Sequence, residues 1–232
     1  MSIPSDQIVI YLGPSLPVHE ARALLDADYR PPIRRGDIFK MLQQGPRPKV
    51  IGIIDGRFFQ SFAISPKEIL LALEAGITVL GSSSMGALRA AELHTLEMIG
   101  VGTVFEMYRD EVLDADDEVA LTFSEEEGTA MSVPLVNIRV ALQHAVKEGI
   151  IPPETERGLV ELTRSIYFPE RSYGMMLKQA AGRFPEAQLR ALGEYLRGGR
   201  APDAKRDDAV KLLHEVKRLA QTGGSEARAA SA

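Results

Sequence analysis

Residues 50–98 read VIGIIDGRFFQSFAISPKEILLALEAGITVLGSSSMGALRAAELHTLEM. Val50–Ile54 is a short, apolar, β-branched run stopped by Asp55-Gly56, the pattern of a buried strand. Ser65-Pro66-Lys67-Glu68 opens a helix, with Ser at the N-cap, Pro at the first helical position and Glu three residues after the cap. Gly76 closes that helix. Ile77–Leu80 is the next strand, Gly81–Gly86 a turn, and the Ala/Leu-rich Ala87–Met98 the next helix. Strand–helix–strand–helix with fully apolar strands predicts α/β architecture: a Rossmann-like parallel sheet with flanking helices.

The pattern extends to both sides. Ile8–Leu12 is another apolar run, ended by Gly13-Pro14-Ser15, and Pro17–Ala27 has helical composition. Pro31-Pro32 makes Tyr29–Ile33 an edge strand or a loop. Asp37 is a plausible N-cap for a short helix over Ile38–Gln44. Beyond Gly100, Phe105–Leu113 reads as helix, Glu118–Phe123 alternates like a further strand, and Val133–Gly149 is amphipathic. From Pro152 onward only helices are expected, near Glu154–Ile166, Ser172–Arg183, Glu186–Leu196 and Asp203–Gln221. The expected division is an α/β core over residues 1–150, a helical region over 151–222 and a disordered tail over 223–232, since GGSEARAASA has nothing to bury.

Composition narrows the function. The 232 residues carry 27 Lys+Arg against 32 Asp+Glu, a net charge of −5, which argues against non-specific nucleic-acid binding. No cysteine is present, which excludes thiolate metal sites, disulfides and a Cys nucleophile. No apolar run is long enough to span a membrane and no secretory signal is visible, so a cytoplasmic location is expected.

Topology places the chemistry. Right-handed crossovers put the carboxyl ends of parallel strands on one edge. Asp55-Gly56, Ser82–Gly86, Lys67 at the start of its helix and the Gly13–Ser15 loop therefore gather where open α/β sheets bind ligands. Ser82-Ser83-Ser84-Met85-Gly86 has the strand–turn–helix setting of a nucleophile elbow. Ser84 can be a nucleophile, a plain helix cap, or part of an anion site at a helix start. None of His19, His94, His144 or His214 forms a Ser…Asp…His arrangement. Lys67 is the candidate base, as in Ser–Lys pairs, or else an ordinary solvated lysine. Arg89 and Glu92, three apart, can pair on the helix surface. Asp114–Glu118 lacks the spacing of a calcium loop and reads as a solvated turn. Glu125–Glu127 reads as surface. Neither Gly-x-x-x-x-Gly-Lys-Ser/Thr nor Gly-x-Gly-x-x-Gly is present, which weakens a nucleotide-binding reading.

The block Val50–Leu93, with YLGPSLP before it and VGTVFEMYRDEVLDADDEVAL after it, resembles the TfuA-like family. The likeness runs from about Ile8 to about Leu142. It continues more loosely at Tyr167–Arg171 and at Lys205-Arg206-Asp207-Asp208. Matching positions are Gly13, Pro14, Asp55, Gly56, Lys67, Glu68, Ser83, Ser84, Met85, Gly86, Arg89, Glu92, Tyr108, Asp110 and Asp114. The family pattern has His before its Lys-Glu pair, where this chain has Pro66. The resemblance implies work with a YcaO protein, which uses ATP to activate a backbone amide during peptide thioamidation. It further implies recruitment of a ThiS-like sulfur carrier with a C-terminal thiocarboxylate, and hydrolysis of that group to sulfide, with no metal or cofactor. Ser84, Lys67 and Asp55 are then the expected catalytic residues, with Ser84 or an activated water as attacking group. Gly13, Ser83, Gly86, Arg89 and Glu92 are the expected substrate-binding positions. The competing expectation is a non-catalytic adaptor that docks YcaO and the carrier. A homo-oligomer is left open.

Overall fold

A computed structural model describes residues 2–57, 62–124 and 129–222. The expectations for Glu125–Glu127 and for the tail over 223–232 lie outside the described residues.

Five strands form one all-parallel sheet: β1 (Ile8–Tyr11), β2 (Asp28–Arg30), β3 (Val50–Ile53), β4 (Thr78–Ser82) and β5 (Ile99–Val101). Their order is β2-β1-β3-β4-β5. The register pairs Tyr11 with Arg30 and Ile53, and Ile53 with Gly81. From β1 the chain steps one way to β2, then returns across β1 to β3 and continues outward. Right-handed crossovers therefore place α1 (Val18–Leu24) on one face. They place α2 (Asp37–Gln44), α3 (Pro66–Glu74) and α4 (Met85–Leu93) on the other. The direction reverses between β1 and β3, and that switch point is where doubly wound sheets hold their ligands.

α1 covers only one end of its face. The remainder is closed by the last helix, α10 (Ala204–Thr222), numbered after the helices α5–α9 given below. Ile8, Ile10, Leu12, Val50, Ile54 and Leu80 share a buried cluster with Ala209, Leu212, Leu213, Val216 and Leu219 of α10. Position 52 must stay small for this approach: a Cβ there would lie 2.6 Å from Ile10 Cδ1 and 2.9 Å from Leu212 Cδ2. The described chain accordingly separates into one unit of residues 2–114 with 205–222 and another within 115–204. α10 goes with the sheet whose face it covers.

The second unit holds α6 (Leu135–Lys147), α7 (Pro153–Arg164), α8 (Tyr173–Ala180) and α9 (Glu186–Arg197), packed around Ile138, Leu142, Leu159, Met176, Leu192 and Tyr195. Two buried charges staple it. Glu118 takes a two-pronged bond from Arg139, at 2.9 and 2.7 Å. Arg171, 1 % exposed, donates to the carbonyls of Ile166 and Asp117 and to the Asp117 carboxylate.

Two expectations need correction. Glu118–Phe123 is not a strand: Asp116–Glu118 is one 3₁₀ turn, and Phe123 makes an isolated bridge to Ala130. Glu118, Val119 and Ala120 are all buried, so the apparent alternation does not describe two faces. β5 was not expected, because three residues flanked by Gly102 give no periodic signal. Just after it, α5 (Thr103–Arg109) completes the first unit's helices.

Candidate functional site

The carboxyl edge is built from two loops and one distant helix. Asp55, just past β3 and 2 % exposed, accepts from the N–H groups of Gly13 (2.9 Å) and Ser15 (3.1 Å) and from Ser15 Oγ (2.7 Å). The loop after β1 is thereby tied to the end of β3. Ser83 Oγ donates to Ser15 Oγ at 2.9 Å and extends the chain of hydrogen bonds to the end of β4. Asp55, Ser15 and Ser83 thus form one buried polar network across three strand ends.

The serine turn is tight for a stated reason. A Cβ at Gly86 would overlap the Ile53 carbonyl oxygen, and one at Gly81 would overlap the Gly86 carbonyl oxygen. Only glycine at both ends lets α4 start directly against the strand ends. Ser83 is forced to φ 65°, the left-handed region that non-glycine residues seldom occupy. Ser84 follows at φ −126°, ψ −122°.

Ser84 stands at the N-cap of α4, yet its side chain makes no capping bond. Ser65 and Ser172, at the same position of α3 and α8, do cap, accepting from Lys67 N–H and Met175 N–H. The Ser84 hydroxyl instead accepts from Lys205 Nζ at 3.0 Å. Both residues are 2 % exposed. Lysine is seldom buried without a partner, and here its Nζ reaches Ser84. The bond joins residues 121 positions apart.

α10 is held so that Lys205 reaches the turn. Asp208, fully buried one turn further on, accepts from Thr103 N–H (3.0 Å) and Val104 N–H (2.7 Å), capping α5. Ser82 Oγ donates to the Asp208 carbonyl, and Arg206 pairs with Glu20 of α1 at 2.6 Å. That bond pulls the Glu20 carboxyl below its ordinary range.

The other expected residues take varied places. Lys67 is exposed in the first turn of α3, on its solvent side. Glu68 is buried and accepts from Gly36 N–H, fixing the start of α2. Arg89 donates to the Ile64 carbonyl and pairs with Glu92 at 2.6 Å, which braces α4. Gly86 N–H is taken by the Ile54 carbonyl and Ser84 N–H by the Ser82 carbonyl. Met85 N–H, the first of α4, has no acceptor among the described residues. His19 is exposed, His94 meets the Ala91 carbonyl, and His144 meets the Tyr195 hydroxyl. Asp110 pairs with Arg109, and Asp114 is exposed. Among the described residues no three His, Asp or Glu side chains gather as metal ligands. No helix there is long and apolar enough to cross a membrane.

Lys205 was missed as a site residue. The Lys205-Arg206-Asp207-Asp208 run was visible, but its distance to Ser84 exists only once α10 has crossed the sheet.

Together these features define a class: a Rossmann-like α/β protein whose carboxyl edge carries a glycine-bounded serine turn and a buried lysine. The family follows from comparison with known proteins. The model described as "TfuA-like protein" matches residues 55–172, half of the chain. The protein belongs to the TfuA-like family. No curated protein matches it.

Proposed function

We propose that this protein is a sulfide-releasing thiocarboxylate hydrolase that serves a YcaO enzyme in peptide thioamidation. Its substrate is a ThiS-like carrier ending in a thiocarboxylate. The observation that carries the reading is the buried Lys205 Nζ–Ser84 Oγ contact at a helix start where Ser84 does not cap.

In a Ser–Lys pair the lysine amine serves as the base. Lys205 takes the Ser84 proton as Oγ attacks the thioacid carbon. Met85 N–H, on the residue after the nucleophile, faces the developing oxyanion, the position such a donor occupies in nucleophile elbows. The C–S bond breaks, Lys205 returns the proton to sulfur, and HS⁻ leaves with an ester on Ser84. Water then attacks that ester with Lys205 as base, giving the carrier carboxylate and one proton. Asp55, through Ser15 and Ser83, holds the turn in its strained form. Because Ser84 is buried, the carrier tail enters only when the edge opens, which gives YcaO docking a means to gate release.

The test uses purified protein and thiocarboxylated carrier without YcaO, following carrier mass and free sulfide. The wild type should convert thiocarboxylate to carboxylate. Ser84→Ala and Lys205→Met should each slow this by about 10²–10⁴-fold, the range for loss of acid–base assistance. Lys67→Ala should raise KM for the anionic tail and leave kcat in place. Wild-type release from Ser84→Ala would end the nucleophile assignment. A carrier that survives until YcaO and peptide are added would make the protein an adaptor.

A further inference from the structure

A cavity lies on the α2 side of the sheet, between that helix and β1–β2. Its volume is about 540 Å³, within the range of small-molecule sites. Neither Ser84 nor Lys205 lines it. Arg30, Arg34, Lys40 and Arg57 line it together with Asp6 and Asp37, and Arg34 pairs with Asp37 at 3.7 Å.

Tyr11 forms part of the floor. It is 2 % exposed, and its buried hydroxyl has no hydrogen-bond partner. A buried polar atom left unpaired costs about 1–3 kcal/mol. Burial raises the phenol's pKa, and the charge of nearby Arg30 counters part of that rise. The guanidinium of Arg30 is anchored by Asp28, at 2.8 Å, from outside the cavity wall. Prolines at 31, 32, 46 and 48, with Val9 and Met41, supply rigid apolar walls. A donor awaiting an acceptor, guanidinium forks and apolar walls together describe a ligand with an anionic end and a flat apolar body.

We propose that this cavity binds a phosphorylated small molecule of nucleotide size, its phosphate on Arg30, Arg34 and the Tyr11 hydroxyl and its apolar part against the prolines. Guanidinium groups match phosphate oxygens two at a time, and more strongly than neutral donors do.

The full-length protein is titrated calorimetrically at low salt with ADP, AMP, inorganic pyrophosphate and adenosine. Tyr11→Phe and Arg34→Gln are run beside the wild type, with thermal unfolding of each. ADP or AMP should bind one per chain, and adenosine at least tenfold more weakly. Tyr11→Phe should fold with equal or higher melting temperature, since it removes only an unpaired hydroxyl, and should lose at least tenfold in affinity. Arg34→Gln should lose a similar factor. Binding that is absent at millimolar nucleotide, or unchanged in both folded variants, overturns the proposal. Pyrophosphate binding as tightly as ADP would also overturn it, because the apolar walls would then contribute nothing.

Discussion

Asp208 holds three groups at once: the N–H groups of Thr103 and Val104, and the ammonium of Lys211 at 2.9 Å. Asp208→Ala strands the buried Val104 donor and the half-buried Thr103 donor, so a loss of about 1–3 kcal/mol is expected for an unmet donor, read from urea unfolding. The same variant should slow sulfide release, because the turn of α10 that presents Lys205 loses its anchor. Normal release from the folded variant would show that Lys205 is placed without Asp208. Tyr29 gives a second residue-scale expectation. Its hydroxyl proton is shared between the Ala21 and Leu25 carbonyls, and burial raises its pKa to about 12 from 10.0. Between those values the folded chain keeps a proton that the unfolded chain has lost. Stability is therefore whole below pH 10 and falls as pH rises toward 12. Burial raises Tyr11, Tyr173 and Tyr195 in the same direction, so the loss is shared. Tyr29→Phe should flatten only part of the slope, seen in denaturant melts across that window; an unaltered slope would exclude its share.

At the scale of elements, α10 and β3 are coupled through position 52. Leu212→Ala removes packing from the sheet face and should cost about 2–5 kcal/mol. Gly52→Ala places a methyl 2.9 Å from Leu212 Cδ2 and 2.6 Å from Ile10 Cδ1, an overpacking worth about 1–3 kcal/mol. The double variant relieves one of those clashes, so it should lose less than the two single losses combined. Strict additivity in chemical unfolding would mean that the helix does not sit over Gly52. This pair also shows what the sequence could and could not convey. β3, α3, β4 and α4 were legible because local rules settle them: apolar runs, a Ser-Pro start, Gly-bounded turns. The serine turn and Asp55 were legible with them, since strand ends fall on one edge by topology alone. β5 was too short to show a period. Glu118–Phe123 showed a false one, because Glu118 is buried by Arg139 rather than facing solvent. Lys205 was legible as a helix residue only; which face of which element it meets is a long-range fact.

The whole molecule depends on its far end. The sheet's strands lie in the first half of the chain, yet one face is covered by residues 204–222. A chain ending at residue 203 keeps every strand and all of the second unit's helices. It leaves Ile8, Ile10, Leu12, Val50, Ile54 and Leu80 without α10. Each apolar square ångström so exposed forfeits about 25 cal/mol, and a domain's whole margin is about 5–15 kcal/mol. The first unit should then lose fixed packing and bind a hydrophobic dye, as partly collapsed states do. The second unit has its own core around Leu142, Leu159 and Leu192 and should still unfold cooperatively. Adding a peptide of residues 203–222 should quench the dye signal and restore sulfide release together, since that helix carries both the missing wall and Lys205. Restored packing without release would separate the wall from the base. A shortened chain that keeps a fully packed sheet would show that α10 does not close that face.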